Sequence, residues 1–167
     1  FLDGDELGEI LLPNRYVPDG CEVGDSVDVF IYNDSEDRIV ATTQRPRARV
    51  GQFAYLEVVD VNQVGAFLDW GLPKDLLVPF YEQKRDKKMI EGRSYVVYVY
   101  LDEKTDLIVA SAKIDKHVQP SSRWLKQGQA VNLLIAGKSD LGYKAIIDNN
   151  CWGLIFHGDA LQPLKYG

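Results

Sequence analysis

The chain has few of the residues that build metal, disulfide or redox centres: 2 cysteines, 2 histidines and 1 methionine in 167 residues. Cys21 and Cys151 are too few and too far apart for a disulfide framework or a zinc site, so two reduced thiols are expected. His117 and His157 have no carboxylate or cysteine at ligand spacing, which argues against metal and general-base roles. No Ser-His-Asp order, P-loop or glycine-rich dinucleotide turn is present, so neither catalysis nor a cofactor is expected. Long apolar runs are missing as well. Nothing approaches the roughly 20 residues that cross a bilayer, and no basic-then-apolar leader precedes the first strands, so a soluble, cytoplasmic chain is expected. The first residue is Phe1 and the sole methionine is Met89, which suggests a fragment of something longer. Positive charge is also short. Lys and Arg number 19 against 25 Asp and Glu, a net charge of −6, which argues against a general polyanion binder.

What the sequence does have is a weak internal repeat in a fixed register. Phe1-Leu2-Asp3 and Leu11-Leu12-Pro13 recur as Phe67-Leu68-Asp69 and Leu77-Val78-Pro79, each 66 residues on. Gly51-Gln52, Gly65 and Leu77 recur as Gly128-Gln129, Gly142 and Leu154, each 77 residues on. Several anchors sharing one offset indicate a single small unit used about three times. With 46% hydrophobic residues, packed cores are expected for each.

The units read as β structure throughout. In the middle one, Phe53 to Val61 is rich in β-branched and aromatic residues, and the turn at Asn62 to Gly65 leads to a second strand over Ala66 to Trp70. Gly71-Leu72-Pro73 breaks that strand, because proline cannot donate to a ladder. Third, fourth and fifth strands follow at Asp75 to Val78, Tyr95 to Tyr100 and Leu107 to Ala112. The charged stretch from Phe80 to Gly92 reads as a loop with one helical turn. Five short strands without helical periodicity between them indicate a Greek-key barrel of the OB type. The first unit repeats strands two to five, with Val27 to Tyr32 and Ile39 to Thr42 as its last two. The third repeats strands one to three, at Val131 to Ala136, Gly142 to Ile147 and Gly153 to Phe156. The expected division is 1–46, 47–116 and 117–167, one complete barrel flanked by two partial ones, with Trp124 anchoring the linker onto the third unit. A barrel lacking strands leaves unpaired backbone along an edge, which invites pairing with another copy.

Gly51, the alternating strand after it, Gly65-Ala66-Phe67-Leu68, Leu76-Leu77-Val78, Gly92, Val97-Tyr98-Val99 and Asp106 to Ser111 resemble the S1 RNA-binding domain. The stretches 8–18, 24–43, 64–80, 95–111 and 140–147 are similar to the bacterial CvfB (YitL-type) family of tandem S1 proteins. That resemblance implies OB-fold barrels, a single-stranded RNA partner, a role in regulating gene expression and virulence traits, and a C-terminal winged-helix domain in the full-length protein.

A single-strand binder of this fold needs exposed aromatics on strands two and three, and cations for phosphates. The resemblance places Phe67, and its equivalent Phe1, at a stacking position; the competing reading is that Phe67 packs under a neighbouring loop. Arg15-Tyr16 sets a cation beside a ring, as do Lys138 and Lys144 with Tyr143. Asp34 and Arg38 keep the acidic-then-basic pair of the last hairpin, which becomes Asp102 and Asp106 in the middle unit. Arg45, Arg47 and Arg49 flank the first junction, and Lys84 and Arg85 crowd a loop with Lys87 and Lys88. The pattern is also worn. Val64, Leu141, Pro13 and Pro79 stand where S1 domains often carry an aromatic or a histidine, and Lys144 replaces the phenylalanine. A protein-interaction scaffold that has lost RNA contact is therefore the alternative.

Overall fold

The computed structural model describes every residue from Phe1 to Gly167. Alternation organises its centre. Along β5 (Phe53–Val61), β6 (Gly65–Leu68), β7 (Leu76–Pro79) and β8 (Ser94–Leu101), every second side chain turns inward. Leu56, Val58, Ala66, Leu68, Leu76, Val78, Val97 and Val99 are each 1% exposed or less. Burying each valine or leucine this completely contributes roughly 1.5–3 kcal/mol. With β9 (Ile108–Ser111) these strands close a barrel in the order β5-β6-β7-β9-β8. Closure needs one parallel contact, Leu77 beside Val109, while the other ladders are antiparallel.

Strand β5 belongs to both halves of the barrel. Residues Phe53 to Glu57 pair with β8, and Val58, Asp60 and Val61 pair with β6. A register shift between Val58 and Asp60 lets it bend from one partner to the other.

The first unit contributes β1 (Leu2–Asp3), β2 (Glu9–Ile10), β3 (Phe30–Asn33) and β4 (Ile39–Thr42). A parallel bridge joins Leu11 to Val40, reproducing the closing contact of the middle barrel at the repeat-equivalent leucine. Ile10, Leu12 and Ala41 form its own small core. Phe30, Tyr32 and Val40 instead join the core cluster of the middle barrel. The Phe30 and Trp70 rings meet edge-on, centroids 5.7 Å apart.

The third unit has β10 (Leu133–Lys138), β11 (Gly142–Ile147) and β12 (Cys151–Phe156), an antiparallel sheet in that order. Its first strand bulges between Ile135 and Gly137, the positions 77 residues on from the bulge in β5. The repeat therefore extends to the irregularity. Ile135, Tyr143 and Ala145 make the third core. The opposite side packs Leu134, Ala136, Ile146 and Trp152 against Phe53 and Ile114 of the middle unit and Val118 of the linker. Gln119 bridges to Cys151 as an added ribbon, and Asn149 Oδ1 accepts a 2.9 Å hydrogen bond from Phe53 N–H.

The repeated glycines now have a cause. A Cβ on Gly65 would lie 2.2 Å from the Val78 carbonyl oxygen, and one on Gly142 1.9 Å from that of Ile155. Strands two and three approach too closely at that corner for any side chain.

The all-β architecture is as the sequence indicates: one complete OB barrel and two partial ones. Several details differ. The strand expected from Val27 begins at Phe30, and Asp75 and Trp70 lie outside strands. The expected helical turn is a single 3-10 turn over Phe80–Glu82. Trp124 does not anchor the linker; its side chain is 84% exposed. No helix is long and apolar enough to cross a membrane.

Candidate nucleic-acid interface

Strand parity decides which candidates can meet a ligand. On β6, Ala66 and Leu68 point inward, so Phe67 must point outward. Its ring is half-buried, opposite Leu77 of β7 and Asp60 of β5, and belongs to none of the core clusters. Val59, Val61, Val64 and Phe80, on β5 and at the ends of β6 and β7, are exposed apolar side chains of the same barrel. Phe1, its repeat equivalent, is 82% exposed.

The same parity corrects Tyr143. It aligns with Ala66 and turns inward, only 6% exposed, within the third core. Its hydroxyl accepts a 3.2 Å hydrogen bond from Leu164 N–H. A ring so enclosed offers no face to a base. Lys144 aligns with Phe67 and points outward, its Nζ 4.4 Å above the Trp152 ring. Lys138, at the end of β10, lies 5.8 Å from the Tyr143 ring.

In the first unit, the Arg15 guanidinium sits 4.7 Å over Tyr16, whose ring also packs on the Ile10–Leu12–Ala41 core. Arg38 is already occupied: it bonds Asp34 at 2.8 Å and Glu36 at 3.2 Å. The hydrogen bond from Arg38 holds the Asp34 carboxyl below its ordinary value. At the first junction, Arg47 N–H donates to the Trp70 carbonyl at 2.8 Å and Ala48 is buried in the barrel core. Arg45 and Arg49 line a small depression beside Asp28 and Phe30.

Lys84 and Arg85 lie elsewhere, on the loop after β7. Lys84 lines a cleft of about 640 Å³ between the middle barrel and the third unit. Lys87, Arg93 and Lys138 line it too, with Tyr55, Tyr95 and Tyr166. Arg85 faces adjoining shallow depressions with Lys88, Phe80, Tyr81 and Lys113. The structure thus gathers Lys84 with Lys138, while Phe67, the first-unit residues and the junction arginines stand apart from the cleft. Arg93, Tyr55, Tyr95 and Tyr166 carry no motif in the sequence. Only the alternation of β5, which makes Tyr55 outward beside inward Leu56, marks one of them.

A separate polar cluster fastens the end of β9. Glu82 accepts hydrogen bonds from Ser111 and Lys116, the latter at 3.0 Å. Burial alone would raise its carboxyl, but these bonds outweigh it and hold the group below its ordinary value. The His117 ring stacks 4.1 Å from Tyr98, and its buried Nε2 has no partner. Burial, then the neighbouring Lys116, push the imidazole below its usual range. No three His, Cys, Asp or Glu side chains gather as a metal site would need.

Comparison with known proteins agrees with this geometry. The S1 domain family profile matches residues 1–44 and 50–112. The chain belongs to the S1 domain family. It is 41% identical over 97 residues to YitL of Bacillus subtilis, covering 52% of this chain and 32% of YitL. Conserved virulence factor B of Staphylococcus saprophyticus is 22% identical over 142 residues, 77% of this chain and 48% of that protein. A Streptococcus pneumoniae crystal structure, described as a multidomain protein with nucleic acid binding domains, superposes with a TM-score of 0.52 at 20% identity. That likeness covers 92% of this chain and 56% of the other, and it speaks for the shared fold. This S1 chain spans between 32% and 48% of the length of those two curated relatives.

Proposed function

We propose that this S1 chain binds single-stranded RNA without cutting it, as part of a bacterial, cytoplasmic regulator of gene expression and virulence traits. The observation that carries this reading is the placement of Phe67. Its ring stands half-buried on the outer face of β6, outside the core clusters. A base stacked on such a ring is worth roughly 1–3 kcal/mol, and any base can supply the π-face. Weak contacts from each unit add through linkage rather than through one tight site. The units are 1–46, 47–116 and 117–167, each contributing part of a discontinuous path, and a winged-helix domain follows in the full-length protein. The relative named conserved virulence factor B supports the association with virulence.

Asp60 opposite Phe67, the self-paired Asp34 and Arg38, and the net charge of −6 favour a second reading, a protein-interaction scaffold. Fluorescence anisotropy of short labelled single-stranded RNA, at two salt concentrations, separates the two. Micromolar or tighter binding that weakens steeply with salt supports the RNA module, because neutralised phosphates release counterions. No binding at low salt overturns it in favour of the scaffold.

A further inference from the structure

We propose that the cleft between the middle barrel and the third unit seats a stretch of the bound single strand, its phosphates held by lysines and its bases against tyrosine rings. This rests on the RNA reading above and names a site for it away from the outer face of β6.

The charge distribution is the first argument. Four cations reach the cleft from three separate places: Lys84 and Lys87 after β7, Arg93 before β8, and Lys138 at the end of β10. No carboxylate lines it, in a chain where acidic residues outnumber basic ones 25 to 19. The salt bridges of the molecule engage Arg38, Lys74 and Lys116, and none of these four cations. Like charges drawn together without counter-charges repel one another and raise the local potential. An anion entering the cleft relieves that repulsion.

The rings narrow the class of anion. Tyr55 and Tyr166 meet edge-on with centroids 6.3 Å apart, and Tyr95 forms a wall, its hydroxyl accepting from Ile90 N–H at 3.0 Å. Cations that track a backbone beside aromatic side chains are the recurring apparatus for single-stranded nucleic acid. At about 640 Å³, the cleft lies within the roughly 300–1,000 Å³ of small-molecule and cofactor sites. Its position also explains a use for tandem units. Lys138 belongs to the third unit and the other cations to the middle barrel, so a strand in the cleft touches both at once.

The test uses the full chain carrying Lys84→Ala, Lys87→Ala and Lys138→Ala, all exposed side chains, beside the wild type and Phe67→Ala. Anisotropy against single-stranded RNA over a salt series reads the slope of log affinity against log salt. The slope should shrink by about one for each lysine that contacts a phosphate, with the melting temperature unchanged. Independently, 5-iodouridine RNA photo-crosslinked to the wild type should mark Tyr55, Tyr95 or Tyr166. If the wild type binds RNA and Phe67→Ala weakens it, but the triple variant keeps the same affinity and slope, the cleft is overturned while the RNA reading stands. Wild-type protein that binds no RNA at low salt sinks both. A poly-glutamate peptide bound in preference to RNA, and lost in the triple variant, would overturn the assigned ligand.

Discussion

Lys144 Nζ lies 4.4 Å above the ring of Trp152 on adjacent strands of the third unit, at the position where the middle barrel carries Phe67. A cation and an indole thus replace one phenylalanine. The pair is worth about 0.5–1 kcal/mol at an exposed site, enough to hold the lysine but not to forbid its transfer to a phosphate. Lys144→Ala should leave the fold intact, shift Trp152 fluorescence, and lower the salt slope of RNA binding by about one. An unchanged slope would confine Lys144 to covering the indole.

For Phe67, truncation separates stacking from packing. Phe67→Ala should weaken RNA binding by roughly 1–3 kcal/mol, because its ring lies outside the core clusters. The melting temperature should hardly move. Unaltered affinity with a fall of several degrees would show that the ring belongs to the packing of the barrel.

Gly65 should be far less tolerant than its surface neighbours. An alanine Cβ there meets the Val78 carbonyl oxygen at 2.2 Å, so β6 and β7 must separate. Overpacking of this kind costs typically 1–3 kcal/mol. Chemical denaturation of Gly65→Ala should show the loss as a lower midpoint at unchanged m-value. Gly158→Ala, where a Cβ meets nothing within 4 Å, is the control.

Acid sensitivity should divide into two windows. His117 is held below its ordinary 6.5 by burial and Lys116. The unfolded chain therefore takes up this proton first, and stability falls as pH drops through 6.5 and continues to fall down to the folded value. Glu82 is depressed from 4.5, so its contribution is fully present above that pH and is lost only below it. Stability curves measured between about pH 7 and 5 should slope in the wild type and flatten in His117→Phe, which keeps a ring against Tyr98. Equal slopes in both proteins would clear His117 of the effect.

The strands of the middle barrel were legible in the residues because a half-buried strand must alternate, and Leu56, Val58, Val97 and Val99 do. The repeat was legible for a related reason. Gly65 and Gly142 recur because two carbonyl oxygens leave no space for a Cβ, a constraint no other residue satisfies. Tyr143 shows where residue type misleads and register does not: a tyrosine beside lysines reads as a binding ring, yet it falls on the inward phase of β11 with Ala145.

Sequence by itself determined the all-β class and the repeated unit, since these follow from local composition and steric limits within one unit. The outward phase of Phe67 is instead set by the burial of Ala66 and Leu68 inside the barrel. Tertiary structure alone decided how the units meet. Phe30 reaching Trp70, Leu134 and Ala136 packing near Phe53, and four cations converging on three tyrosines all join residues from different strands and loops. No local pattern records such distances, because they are set by which apolar faces are left over once each unit has filled its own core. The candidate cleft is a product of that packing.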